Sequence, residues 1–234
     1  MTSNQRLDMQ NLYLLNLHHS TFLKSQEAHA IGMEMYIRAK HIKTKDELFQ
    51  FCESYVCGYL LYADVIIIKE IYEATRQKDY NRAEYLAKIF DASKHVIELK
   101  KTSRQAGNRL LERLLSVESI PALENWKKSQ GEETKRNHYA IIYGLYTAEM
   151  EFDLSDVIQS YLYFSLTNLV QHAVRAIPLA PKEAELVIFQ MIEKINDATH
   201  TAMDLSIEDM ANCAIGLEIS AMQHKYLLSK LFIS

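Results

Sequence analysis

The chain has 234 residues, 48% of them hydrophobic, and a formal net charge of -4 with acids and bases interspersed. That is enough apolar material for one large domain or two fused halves, and it lacks the basic footprint that nucleic acid or an anionic membrane requires. Only 6 Gly and 3 Pro are present; both disfavour helix interiors, so their scarcity points to an all-α chain.

The N-terminus, MTSNQRLDMQ, is polar, which excludes a signal peptide and leaves residues 1–8 as an expected flexible segment. From Phe49 the apolar positions Phe49, Cys52, Val56, Leu60, Ala63 and Ile67 recur at spacings of three and four, one face of a long helix. Thr44 and Asp46 precede it as start signals. The β-branched run Val65-Ile-Ile-Ile lies inside that pattern without turn residues, so it reads as helix and not as strand. The run Leu60 to Ile68 is broken by Asp64 and too short to span a bilayer. A second helix is expected over Asn81 to Leu99, a break at Gly107, and a resumption from Asn108 to Val117. Pro121 opens a short helix through Trp126, since proline is tolerated in a first turn. Lys127 to Asn137 is polar and contains Gly131, the best loop candidate.

Asp153 caps the next helix, with Asp156 three residues on; it runs to about Ile177, where Pro178 stops it. Pro181 starts another, to about Asp204. Ser206 or a neighbour begins the last region, and Ala214 to Lys230 forms the terminal helix. The expected architecture is a single compact all-α domain over residues 1–234, of about ten helices and no significant sheet.

Catalytic signatures are weak. The six glycines stand singly, so no phosphate-cradling loop exists, and tight GTP or ATP binding by this chain alone is not expected. No nucleophile elbow is present, and nothing singles out a Ser/His/Asp triad. The doublet His18-His19 points about 100° apart on a helix and cannot chelate one ion from it. His200 and Asp204 are one turn apart, as many surface pairs are. Cys52, Cys57 and Cys213 are an odd, irregular set that argues against a disulfide framework and for a reducing compartment, the cytoplasm. No cofactor and no resident metal are expected, while transient nickel contact stays open because imidazole suits Ni(II). Tyrosines cluster at Tyr139, Tyr143, Tyr146, Tyr161 and Tyr163, read first as amphipathic filler with wet hydroxyls and second as an interface. Arg175, just before Ile177-Pro178, suits a helix C-terminus and also a partner contact on a rigid corner.

Four segments resemble a known family. Tyr161-Leu-Tyr and Asn168-Leu-Val through Arg175-Ala-Ile-Pro-Leu are similar to the Y-L-Y and A-V-R-x-I-P-L stretches of the UreF family of urease accessory proteins. Gly216-Leu-Glu-Ile, Met222-Gln-His224 and Leu231-Phe-Ile-Ser234 resemble its C-terminal ending. Glu98-Leu-Lys-Lys with Gly107-Asn-Arg109-Leu matches its E-x-R…G-x-R stretch, and Leu14-Leu15, Ser20, Phe22, His29, Gly32 and Glu34 match its N-terminal frame. The family's F-P-x-G is here Phe22-Leu-Lys-Ser25, the aromatic before its histidine is Glu27, and Lys225 and Lys230 replace a glutamate and an arginine.

The resemblance implies an all-α, non-enzymatic, cytoplasmic homodimer. It would bind UreH (also called UreD), recruit the GTPase UreG and assist nickel insertion into apo-urease. By position, Glu34 and Arg175 would face UreG, and His224, Lys230, Leu231, Phe232 and Ser234 would belong to the partner-binding C-terminal region. Loss of Pro and Gly from the segment Leu23 to Ala30 predicts a helix starting near Ser20 or Thr21 and running into Ile37, with weaker dimerisation or partner binding through that surface than a typical family member shows. A generic helical interaction module and an enzyme with an unrecognised helical site are the alternatives.

Overall fold

The structure, a computed structural model, describes residues 9–18, 27–130, 136–211 and 215–224. Its described residues form ten α-helices and no strand. In chain order these are α1 (Gln10–Leu17), α2 (Glu27–Arg38), α3 (Lys45–Arg76), α4 (Tyr80–Ser93), α5 (Ile97–Val117), α6 (Pro121–Ser129), α7 (Tyr139–Glu149), α8 (Leu154–Ala176), α9 (Pro181–Asp204) and α10 (Ile215–His224). A short 3₁₀ turn, Ile207–Asp209, follows α9. One contiguous core draws buried side chains from all ten helices.

The helix α3 is the axle. It starts where Thr44 and Glu47 exchange a capping box: the Glu47 amide donates to Thr44 Oγ1, and the Glu47 carboxylate accepts from the Thr44 amide. The spacing predicted an α-helical face; over Ser54–Val65 the hydrogen bonds instead take the wider π register. There, neighbours on both sides of the expected stripe are buried, including Tyr55, Tyr59 and Asp64 beside Val56, Leu60 and Ala63. The helix is long and apolar enough to cross a membrane, but 67% of its most apolar stretch is inside the fold, which makes it a core helix. Two of its buried polar residues, Lys69 and Glu70, hold neighbouring segments. Lys69 Nζ donates to the carbonyls of Ala202 (3.3 Å) and Leu205 (2.7 Å) and caps the end of α9. The Glu70 carboxylate accepts from the Ile207 amide at 3.2 Å and from Arg82 at 2.5 Å.

Around α3 pack α7, α4, α8 and α9, while α2 lies against α10, α5 and α8. The boundaries of α8 and α9 agree with the cap chemistry: Asp153 Oδ1 accepts from the Asp156 amide at 3.1 Å, and Pro181 occupies the first turn of α9. The helix α6 runs past Trp126 to Ser129. The fully buried stretch of α7 lies where the sequence suggested only a tyrosine cluster.

The reading of 81–117 is corrected. The helix does not run through Leu99 and break at Gly107; it breaks at Lys94–Val96 and runs unbroken through Gly107. A Cβ at Gly107 would lie 1.8 Å from the Asn137 carbonyl oxygen, so this glycine serves the close approach of a neighbouring backbone. Lys94 ends α4 because its side chain is drawn into a buried ion pair. The predicted helix over 20–37 is seen as α2 from Glu27 onward; residues 19–26, and the expected flexible segment 1–8, lie outside the described residues.

Candidate functional site

Two glycines set the contact between α2 and α10. A Cβ at Gly32 would lie 2.5 Å from Leu217 Cδ1, and one at Gly216 would lie 2.4 Å from the Tyr36 hydroxyl. Beside this crossing, a cavity of about 510 Å³ opens between α2, α3 and α10, walled by Tyr36, His41, Phe51, Tyr55 and Tyr59. The helix α10 buries Leu217, Glu218 and Ala221. Its other side presents Ile215, Ile219 and Met222, 66%, 49% and 47% exposed, at the i, i+4, i+7 spacing of one helical stripe. An uncovered apolar stripe of this kind is a candidate interaction face.

Beneath α10 lies a buried ionic cluster. Lys94 Nζ is 2.8 Å from Asp64 Oδ1 and 3.2 Å from the Tyr59 hydroxyl, and sits 4.6 Å from the Phe90 ring centroid. The Tyr161 hydroxyl donates to Asp64 Oδ2 at 3.0 Å. Burial pulls the Lys94 ammonium down, but the Asp64 carboxylate and Tyr59 outweigh it and hold the lysine above its usual range. Glu218 of α10 lines the same small cavity as Lys94 and Tyr59, so the seat of α10 is charged as well as apolar.

The sequence-predicted residues fall in different settings. Glu34 on α2 is fully buried; its carboxylate accepts from Arg38 Nε at 2.9 Å, and the outside is reached through the Arg38 side chain, 30% exposed. Arg175 is exposed in the last turn of α8, close enough to His172 to add to the burial that lowers that imidazole's pKa. His224 ends α10. Lys230, Leu231, Phe232 and Ser234 lie outside the described residues. Since α2 touches both α8 and α10, the fold brings together the helices that carry Glu34, Arg175 and His224. The exposed stripe of α10 was missed, although its spacing was readable.

Two further expectations meet the coordinates. The tyrosine hydroxyls are not wet: Tyr139, Tyr143, Tyr146 and Tyr161 are buried, and Tyr143 donates to the Val157 carbonyl at 3.1 Å. Tyr163 alone of the five is exposed, at 39%. A Ser/His/Asp line does form, with Ser103 Oγ 3.0 Å from His138 Nδ1 and His138 Nε2 3.0 Å from Asp91 Oδ1. It uses the ring nitrogens in the reverse order of the serine hydrolases. Burial raises the Asp91 carboxyl, but hydrogen bonds from His138, Lys100 and Arg104 outweigh it and hold the group well below the usual carboxylate range. His138 is fully enclosed and its pKa is lowered by burial. The cluster ties α4 and α5 to the start of α7. Among the described residues no three His, Cys, Asp or Glu side chains converge to hold a metal.

The sequence model of the UreF family matches residues 42–192. The chain is also 35% identical over 202 residues to the urease accessory protein UreF of Sporosarcina pasteurii, covering 86% of this chain and all of that one. The chain belongs to the UreF family. Further relatives carry the same name: the UreF of Lachnoclostridium phytofermentans is 29% identical over 97% of this chain and its own whole length. One from Streptococcus thermophilus is 23% identical over 95% of this chain and 94% of its own. The family match thus spans α3 to α8 and half of α9, the axle and its surrounding helices, and the match to the relatives extends over as much as 97% of the chain.

Proposed function

We propose that this chain is a non-enzymatic scaffold of urease maturation. It works in the cytoplasm as a homodimer, binds UreH/UreD, and recruits the GTPase UreG for GTP-dependent nickel insertion into apo-urease. The observation that carries this reading is the near full-length match to relatives named urease accessory protein UreF. Two surface features support it: the uncovered apolar stripe of α10, continuous in sequence with the partner-binding residues Lys230, Leu231, Phe232 and Ser234, and the exposed Arg175 at the corner before Pro178. The mechanism is differential binding: the scaffold holds UreG better in one nucleotide state and couples its release to metal transfer. An arginine's planar fork suits a carboxylate or backbone carbonyls on such a partner.

The test is co-purification with UreH and UreG in GTP and in GDP. The wild-type chain is expected to retain UreH, and UreG in a nucleotide-dependent manner; retention of neither overturns the scaffold reading. Arg175→Glu is expected to keep the helical far-UV spectrum and lose UreG. A folded Arg175→Glu chain that recruits UreG normally removes Arg175 from the interface.

A further inference from the structure

The cavity beside the crossing of α2 and α10 has the make-up of a small-ligand site. At about 510 Å³ it falls in the size range of such sites, which combine aromatic walls with a few placed polar groups. Its floor is aromatic. Tyr55 and Tyr59 of α3 are buried and stack with ring centroids 5.8 Å apart. Tyr36 of α2 packs on Phe51 at 5.2 Å and meets His41 edge-on at 6.1 Å, so that five rings line one space. The mouth is polar, with Gln50 and Ser54 exposed at its edge.

The charge of the lining selects the ligand. Tyrosine and phenylalanine rings present electron-rich faces, which attract cations. Among the described lining residues there is one carboxylate, Glu47, and no Lys or Arg. Glu47 accepts from the Lys43 amide at 2.8 Å and the Thr44 amide at 3.0 Å, and these bonds hold its carboxyl below the usual range, so it is ionised at neutral pH. An anionic ligand would meet a single imidazole, His41, as its only basic partner among these residues. A metal ion would find one carboxylate and one imidazole, fewer protein donors than a resident ion takes. An organic cation suits both halves of the site, its body against the rings and its positive group towards the carboxylate.

We propose that this cavity binds a small organic cation, an amine, amidine or guanidinium on a flat apolar body, with the body among Tyr36, Phe51, Tyr55 and Tyr59 and the positive group at Glu47. The proposal rests on the cavity alone and stands whether or not the scaffold reading holds.

The probe is benzamidine, a flat amidinium, titrated into the full chain by ligand-observed NMR beside benzamide, a neutral molecule of the same shape, and benzoate, its anionic counterpart. Benzamidine is expected to bind at least about tenfold tighter than either. Glu47→Gln keeps the capping box, since glutamine serves there as well. It should weaken benzamidine about threefold or more and leave benzamide unchanged. Ser54→Trp, at an exposed position on the mouth, should block both ligands. Phe51→Leu, which removes a ring but keeps apolar volume, should weaken benzamidine and repeats the test should Ser54→Trp not fold. Equal binding of benzamidine and benzamide overturns the proposal, as does benzamidine binding that neither Glu47→Gln nor the blocking variant diminishes. Tighter binding of a blocked arginine, N-acetylarginine methylamide, than of benzamidine also overturns it, since the cavity would then belong to a side chain of a partner protein.

Discussion

His18 shows how one buried ring sets a pH limit. Stacked on Phe164 and 3.3 Å from the Tyr143 hydroxyl, it has its pKa pulled down by burial from 6.5 to about 3. Between those values the unfolded chain takes up a proton that the folded chain refuses, so stability is present above 6.5 and falls as pH drops towards 3. The slope is about 1.4 kcal/mol per pH unit for this group. His18→Phe keeps the stack, and Tyr143 still donates to Val157, so we expect urea midpoints that depend measurably less on pH below 6.5. An unchanged profile would assign the acid sensitivity elsewhere, His138 first. Gly107 gives a steric counterpart. Gly107→Ala places a methyl on the Asn137 carbonyl and should destabilise by about 3 kcal/mol or more. Gly58→Ala meets nothing within 4 Å and should be neutral or stabilising by up to about 1 kcal/mol. The Gly107→Ala urea midpoint should fall while the Gly58→Ala midpoint holds or rises.

Elements whose ends depend on local chemistry were legible. Thr44, Asp153 and Pro181 start their helices through groups within three residues of themselves, and the structure agrees on all three. The break between α4 and α5 was not legible, because its cause is remote: Lys94 leaves the helix to pair with Asp64, 30 residues back, and Asp64 is held by Tyr161, 97 residues on. Removing one partner of a buried pair strands the other. Lys94→Met should therefore cost about 3–5 kcal/mol in chemical denaturation. The double change Lys94→Met, Asp64→Leu should recover part of that, since the stranded carboxylate is gone while the Tyr161 hydroxyl loses its acceptor. A Lys94→Met chain of wild-type stability would show that the pair contributes nothing net.

For the whole molecule, the question is which apolar stripes the fold covers. Both α9 and α10 carry two, and each leaves one outside. Ile219→Lys on α10 should change stability by less than about 0.5 kcal/mol, because the site is half exposed, yet abolish UreH capture if the stripe is the interface. Capture at wild-type strength would move that interface elsewhere on the molecule. Composition, helical periodicity and caps by themselves determined an all-α chain and the ends of α8 and α9, because helix chemistry is settled within one turn, and the resemblance of four segments pointed to the family. Only the tertiary structure decided that Glu34 is buried against Arg38, that Gly107 serves a close approach, and that the outer stripes of α9 and α10 stay uncovered. Those outcomes depend on which surfaces meet, and the contacts that decide them join residues as distant as Lys69 and Leu205, 136 positions apart.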